Sequence, residues 1–275
     1  IYVYVGTDFG PACKSPNCIE SNAGIVLTQE GVVLIDTGQN PTDSRAIQQA
    51  VRTLSVLPVK YILHTESHPD HTTGDFLFAP PATVISHQGA AQEMKSRDPA
   101  RVAKLAATSP EMAEAAKGYR MVLPDIEFEG RRTLSVGERT FELFHLKNVH
   151  SEADVAVWLP KERVLFSGSG VVVRQWNVFR PFVGIPDILA AIKTLKALKP
   201  EFVIPGHGAP GTVKIFEDTA AHYALVLDRV GQMVQQGKSL DQIKKEVSFP
   251  EYDDWINRDR IPQVIDAAYR ALSGK

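Results

Sequence analysis

Cysteine is nearly absent from this 275-residue chain, which contains only Cys13 and Cys18. The pair brackets the short polar segment Lys14-Ser15-Pro16-Asn17, so a small disulfide-closed loop is expected, with two free thiols as the alternative. Long apolar runs are missing too: none approaches the roughly 20 residues that a membrane-spanning helix needs. Neither sign of charge dominates. Thirty basic residues stand against 32 acidic ones, a net charge of −2, which provides no electrostatic footprint for nucleic acid or an anionic membrane. Fixed-period repeats, low-complexity tracts and Pro/Gly/Ser linkers are also lacking. What remains is an ordinary globular composition, 44% hydrophobic and 23% charged, in a chain long enough to bury a sizeable core. The first residue is Ile1, and removal of an initiating segment such as a signal peptide is expected. With the cysteine pair, this favours a periplasmic or secreted address over a cytoplasmic one.

Apolar, mostly β-branched residues on either side of Gln29-Glu30-Gly31 predict a hairpin over 24–36. Helical spacing of Ile47, Val51 and Leu54 predicts a helix over 41–54, capped by Thr42 or Asp43. Strands are expected at 59–63 and 83–86, with a helix from about Gln88 and another from Thr72 onward. Residues 98–124 read as helix and connector. A second β block follows at 133–136, 140–146, 154–159 and 164–167, then a helix over 188–198, a strand at 202–204 and a mainly helical remainder. Two β blocks, each with its own helices, suggest two sheets packed face to face with helices outside.

The densest chemistry lies in His64-Thr-Glu66-Ser-His68-Pro-Asp70-His71, which packs five metal-competent side chains behind an apolar strand. Imidazole and carboxylate donors without a nearby thiolate suit zinc, iron or manganese. A polar, solvated loop is the bland alternative, but three histidines and two carboxylates crowded there are hard to explain by solvation alone. One loop does not easily surround a metal, so further donors are expected from His150 and His207, both at strand-to-loop transitions. Glycines flanking His207 let the backbone turn tightly there. His87, His145 and His222 stand alone and read as surface or core residues.

In chain order these segments resemble the motifs of the metallo-β-lactamase superfamily. They are Val33-Leu-Ile-Asp36-Thr-Gly38, the H-x-H-x-D-H region, His150, Val164-Leu-Phe-Ser-Gly168 and Ile204-Pro-Gly-His207-Gly, covering about Gly24 to His207. The resemblance implies an α/β fold, a four-layer αββα sandwich of two mixed β-sheets with helices on both outer faces. It implies a single domain of two similar halves, about 1–130 and 131–275. It also implies one metal site from Glu66, His68 and His150, and a second from Asp70, His71 and His207. Asp36 would steady a ligand from behind. Two departures stand out: Glu66 replaces the first motif histidine, and Ser169 falls where many members carry a bridging aspartate. True metallo-β-lactamases also lack that aspartate.

The function this implies is zinc-dependent hydrolysis of an amide, lactam, lactone or other ester-like bond in a small molecule, with β-lactamase-like chemistry among its forms. One or two ions would be held, zinc first, with iron or manganese made competitive by the glutamate oxygen. Asp70 would orient the metal-activated water and carry its proton. Ser169 or Ser167 would anchor substrate or water, or simply pack a tight turn. Trp176, Phe179 and Phe182 would line a substrate groove or fill the core. An iron-dependent redox or dioxygenase relative, and a non-catalytic metal-binding relative, are the alternatives.

Overall fold

A computed structural model describes residues 1–6, 21–96 and 100–273; Cys13 and Cys18 and the loop they were expected to close lie outside them. The first sheet has six strands in chain order, β1 (Tyr2–Tyr4), β2 (Ala23–Thr28), β3 (Gly31–Ile35), β4 (Val59–Leu63), β5 (Thr83–His87) and β6 (Ile126–Phe128). β1, β2 and β3 pair antiparallel, and β3 to β6 run parallel. The second sheet orders its strands β11 (Phe202–Ile204), β10 (Val164–Phe166), β9 (Val155–Leu159), β8 (Arg139–His145) and β7 (Arg131–Val136). It is antiparallel except for the β10–β11 pair.

Strand alternation sorts the core into three layers. In β2 and β3, Val26, Val33 and Ile35 face Phe141, Leu143, Val155, Val157 and Phe166 of the opposing sheet. Their neighbours Ile25, Val32 and Leu34 turn the other way, onto Ile47 and Val51 of α1 (Pro41–Leu54). On the far side, Ala156, Trp158, Leu165 and Val203 pack beneath α6 (Ile185–Ala197), α7 (Lys214–Gln235), α8 (Leu240–Glu246) and α9 (Ile261–Ser273). The layers are therefore α, β, β, α, as the resemblance implies. No helix among the described residues is long and apolar enough to cross a membrane.

Local corrections are few. Asn40 caps α1, its side chain accepting from the Asp43 N–H, where Thr42 or Asp43 was expected. The helix expected from Thr72 onward does not form: a single turn, α2 (Pro69–Thr72), started by Pro69 at a first helical position, ends there, and only a 3-10 turn at Asp75–Leu77 follows. Three short helices follow the same first half: α3 (Ala90–Ser96), α4 (Arg101–Ala106) and α5 (Pro110–Ala115). Strands β1 and β6, three residues each, escaped the pattern reading.

Candidate metal centre

All six expected ligands converge on one rim of the sandwich, where strands end. Glu66 and His68 follow β4, Asp70 and His71 ride the single turn of α2, His150 follows β8 and His207 follows β11. The rim is tied across both sheets. Thr65 donates its N–H (2.8 Å) and hydroxyl (2.6 Å) to Asp36 at the end of β3, while its carbonyl accepts from Val155 N–H at 2.7 Å. Asn22 reaches the second sheet, donating its side-chain amide to the carbonyls of Pro205 and Gly208, both at 2.8 Å.

Two donor groups share Glu66. Its Oε2 contacts His68 Nδ1 and lies 3.5 Å from His150 Nε2, while its Oε1 lies 3.0 Å from His71 Nε2. The carboxylate is wholly buried, and its polar neighbours are these ring nitrogens. Beside it, His71 Nε2, His207 Nε2 and Asp70 Oδ2 form a triangle with edges of 3.4, 3.5 and 3.6 Å. Donors about 2.1 Å from a tetrahedral ion stand about 3.4 Å apart, so this triangle fits a single cation. Groups able to hold an ion are Glu66–His68–His150 and Glu66–His71–His207, with Asp70 on the edge of the second.

Charge in the cluster is set by burial and its neighbours. Burial opposes ionisation of Asp70, but the field of His71 outweighs it, helped by His207 and His68, and holds the carboxyl down to about 2. Burial pushes the His150 imidazole well below its ordinary value. Asp154, buried and repelled by Glu66, is pushed up to about 7. This residue, absent from the sequence reading, accepts from the backbone N–H groups of His150 (2.6 Å) and Ser151 (2.8 Å) and shapes the turn that carries His150.

Asp36 Oδ2 accepts from His71 Nδ1 at 2.8 Å, which leaves Nε2 facing the cluster. Ser169 stands directly in the site, its Oγ 3.1 Å from that same Nε2. Ser167 does not; its hydroxyl leans on the Ile204 carbonyl. His64 turns away and binds Asp75 Oδ2 at 3.0 Å. Trp176 and Phe179 belong to the core, and Phe182 is partly exposed; none of the three lines the metal cleft. That cleft, of about 140 Å³, is walled by His68, Asp70, His150 and His207 together with Arg180 and Arg260. Neither arginine carried a motif signal. Arg180 donates to the His150 carbonyl at 2.6 Å and lies 3.1 Å from His68 Nε2.

An αββα sandwich with two histidine–carboxylate donor groups on its rim is the architecture of a metal-dependent hydrolase class. The profile of the metallo-beta-lactamase superfamily matches residues 16–207, and the chain belongs to that family. Among curated relatives it is 24% identical to a linear primary-alkylsulfatase of Pseudomonas sp. (strain ATCC 19151), over 83% of this chain and 50% of that protein. It is 24% identical to a metallo-beta-lactamase type 2 of Bacillus sp. (strain 170), over 76% of this chain and 74% of that one. The same fold recurs in a sec-alkylsulfatase of Pseudomonas sp. (TM-score 0.70, 18% identity, 92% of this chain and 48% of that one). It recurs also in a metallo-beta-lactamase from Pontibacter korlensis (TM-score 0.59, 24% identity, 80% and 91%). The chain spans about half the length of the alkylsulfatases it matches.

Proposed function

We propose that this chain is a metal-dependent hydrolase that cleaves an ester-like, amide or lactam bond of a small molecule, with zinc as the preferred ion. The observation that carries the reading is the Glu66 carboxylate, fully buried and ringed by nitrogens of His68, His71 and His150. A buried carboxylate crowded by imidazole nitrogens is the donor set that a zinc ion takes, and the ion replaces the protons that otherwise balance its charge. Glu66, His68 and His150 would hold one ion, and Asp70, His71 and His207 a second, with Glu66 reaching toward both.

A bound zinc supplies Lewis acidity and lowers the pKa of a coordinated water toward about 7. The protein's own part is orientation. Asp36 holds His71 in one tautomer, Asp154 holds the His150 turn, and Asp70, partly open to the cleft, is placed to orient water and carry its proton. Ser169 puts a neutral hydroxyl where many members carry a bridging carboxylate, while Glu66 puts a carboxylate where they carry histidine, so the number of negative charges at the site is unchanged. Likeness to both an alkylsulfatase and metallo-β-lactamases is compatible with several scissile bonds.

Metal analysis of the purified chain, followed by hydrolysis of a chromogenic cephalosporin, a homoserine lactone, an aryl thioester and an alkyl sulfate, tests the reading. Stoichiometric zinc with turnover abolished by chelation and restored by zinc is expected. A chain that binds no metal would refute it.

A further inference from the structure

The cleft beside the metal ligands holds a charge the hydrolytic reading leaves unused. Arg260 is only 9% exposed. It lies in the short turn Arg258–Arg260 ahead of α9, beyond the last residue of the superfamily match. Its Nη1 donates to the Trp176 carbonyl at 3.2 Å, and among the described residues it forms no ion pair. The acids whose field it feels are Asp259 and Asp70. Neither is at ion-pair distance, and Asp70 is turned to His71 and His207. The cationic Arg180 shares the cleft.

Arginine does not lose its proton, so a buried guanidinium must find an anion or stay poorly compensated. The backbone around it is held in place. Trp176 N–H donates to the Ile256 carbonyl at 3.1 Å, and Asn257 Nδ2 donates to Gln175 Oε1 at 3.0 Å. Asn257 takes a left-handed backbone (φ 60°), which turns the chain so that Arg260 enters the cleft. A volume of about 140 Å³ is several times a water's share of about 30 Å³, and admits a small oxyanion with adjoining atoms.

We propose that Arg260 is the anion anchor of this cleft, and that the substrate carries a carboxylate or sulfate group which its guanidinium holds beside the metal ligands. This deepens the hydrolase reading and rests on it for the word substrate, but the anion site itself is read without turnover. A planar guanidinium presents two parallel N–H donors to either oxyanion, and each such charge-assisted bond is among the stronger polar contacts. Arg180, fixed to the His150 loop, adds positive field in the same cleft.

The test is calorimetric titration of the zinc-loaded chain, and of its Arg260→Gln and Arg260→Lys variants, with sodium benzoate and with methyl sulfate. Binding of at least one anion is expected, weakened about tenfold or more in Arg260→Gln at unchanged zinc content, with partial recovery in Arg260→Lys. The anion more sensitive to the substitution identifies the substrate's group. Equal affinity in the parent and Arg260→Gln, or no binding of either anion, overturns the proposal. If Arg260→Gln does not fold, Arg260→Lys decides. Loss of the two-pronged contact should weaken binding about threefold, and unchanged affinity refutes it. A chain that binds anions through Arg260 yet hydrolyses nothing would sink the hydrolase reading alone.

Discussion

Asp36 Oδ2 and His71 Nδ1 lie 2.8 Å apart, and through that one hydrogen bond the first sheet decides which nitrogen of His71 faces the candidate metal centre. The same carboxylate takes two bonds from Thr65, so the loop entering Glu66 and the helix carrying His71 share one support. Asp36 sits at φ 59°, a backbone that asparagine tolerates. Asp36→Asn should therefore fold while blurring the tautomer of His71. Zinc affinity, measured by competition with a chromophoric chelator, should fall about 10- to 100-fold. An unchanged affinity would show that packing alone orients the imidazole.

Glu66→Gln should weaken both stability and metal binding. Without zinc, the variant loses a buried carboxylate that the His71 and His68 imidazoles hold ionised, and should lose about 3 kcal/mol or more of stability. With zinc the loss should widen, because a weaker ligand binds the folded state less tightly. Since Glu66 lies against both donor groups, zinc content should drop at both positions rather than one. Melting curves with chelator and with zinc, alongside metal analysis, check this.

Gly206 precedes His207, and a methyl group added there would lie 2.4 Å from Ser169 Oγ and 2.7 Å from the Ser169 backbone. Backbone yields less readily than a side-chain tip. Gly206→Ala should cost about 2 kcal/mol or more and move His207 or Ser169 out of place. Urea denaturation and zinc content report the two effects, and a fully zinc-loaded variant with parental stability would contradict the close approach.

His222 gives a pH dependence away from the metal centre. It is buried among Trp176, Tyr252 and Trp255, and burial pushes its pKa down to about 4. The unfolded chain binds this proton near pH 6.5, so the stability contributed by the neutral ring is present above that pH and lost as pH falls toward about 4. The loss amounts to up to about 3 kcal/mol. His222→Phe should flatten the fall in urea midpoint between pH 6.5 and 4.5. Parallel pH profiles for the parent and variant would rule out this residue as the source.

Much of the fold is written locally. The β2–β3 hairpin alternates around a Gly31 turn, and α1 announces itself by the spacing of Ile47, Val51 and Leu54, because a buried face imposes its period on the chain. Strands β1 and β6 carry too few residues to show any period, and exist because a neighbouring strand offers its edge. The six candidate ligands were legible because histidine and carboxylate at strand ends have few other uses, and because their order follows the family's motifs.

Tertiary structure alone decided how those ligands are shared and what surrounds them. Glu66 spans both donor groups, Ser169 touches His71 across 98 positions of chain, and Asp154 shapes the His150 turn. Arg180 and Arg260 arrive in the cleft from segments with no motif of their own. Sequence spacing carries information about contacts within one element, where the backbone period is known. It carries none about which distant loops meet at a rim, because that depends on how two sheets pack, and the packing is settled by the whole core at once.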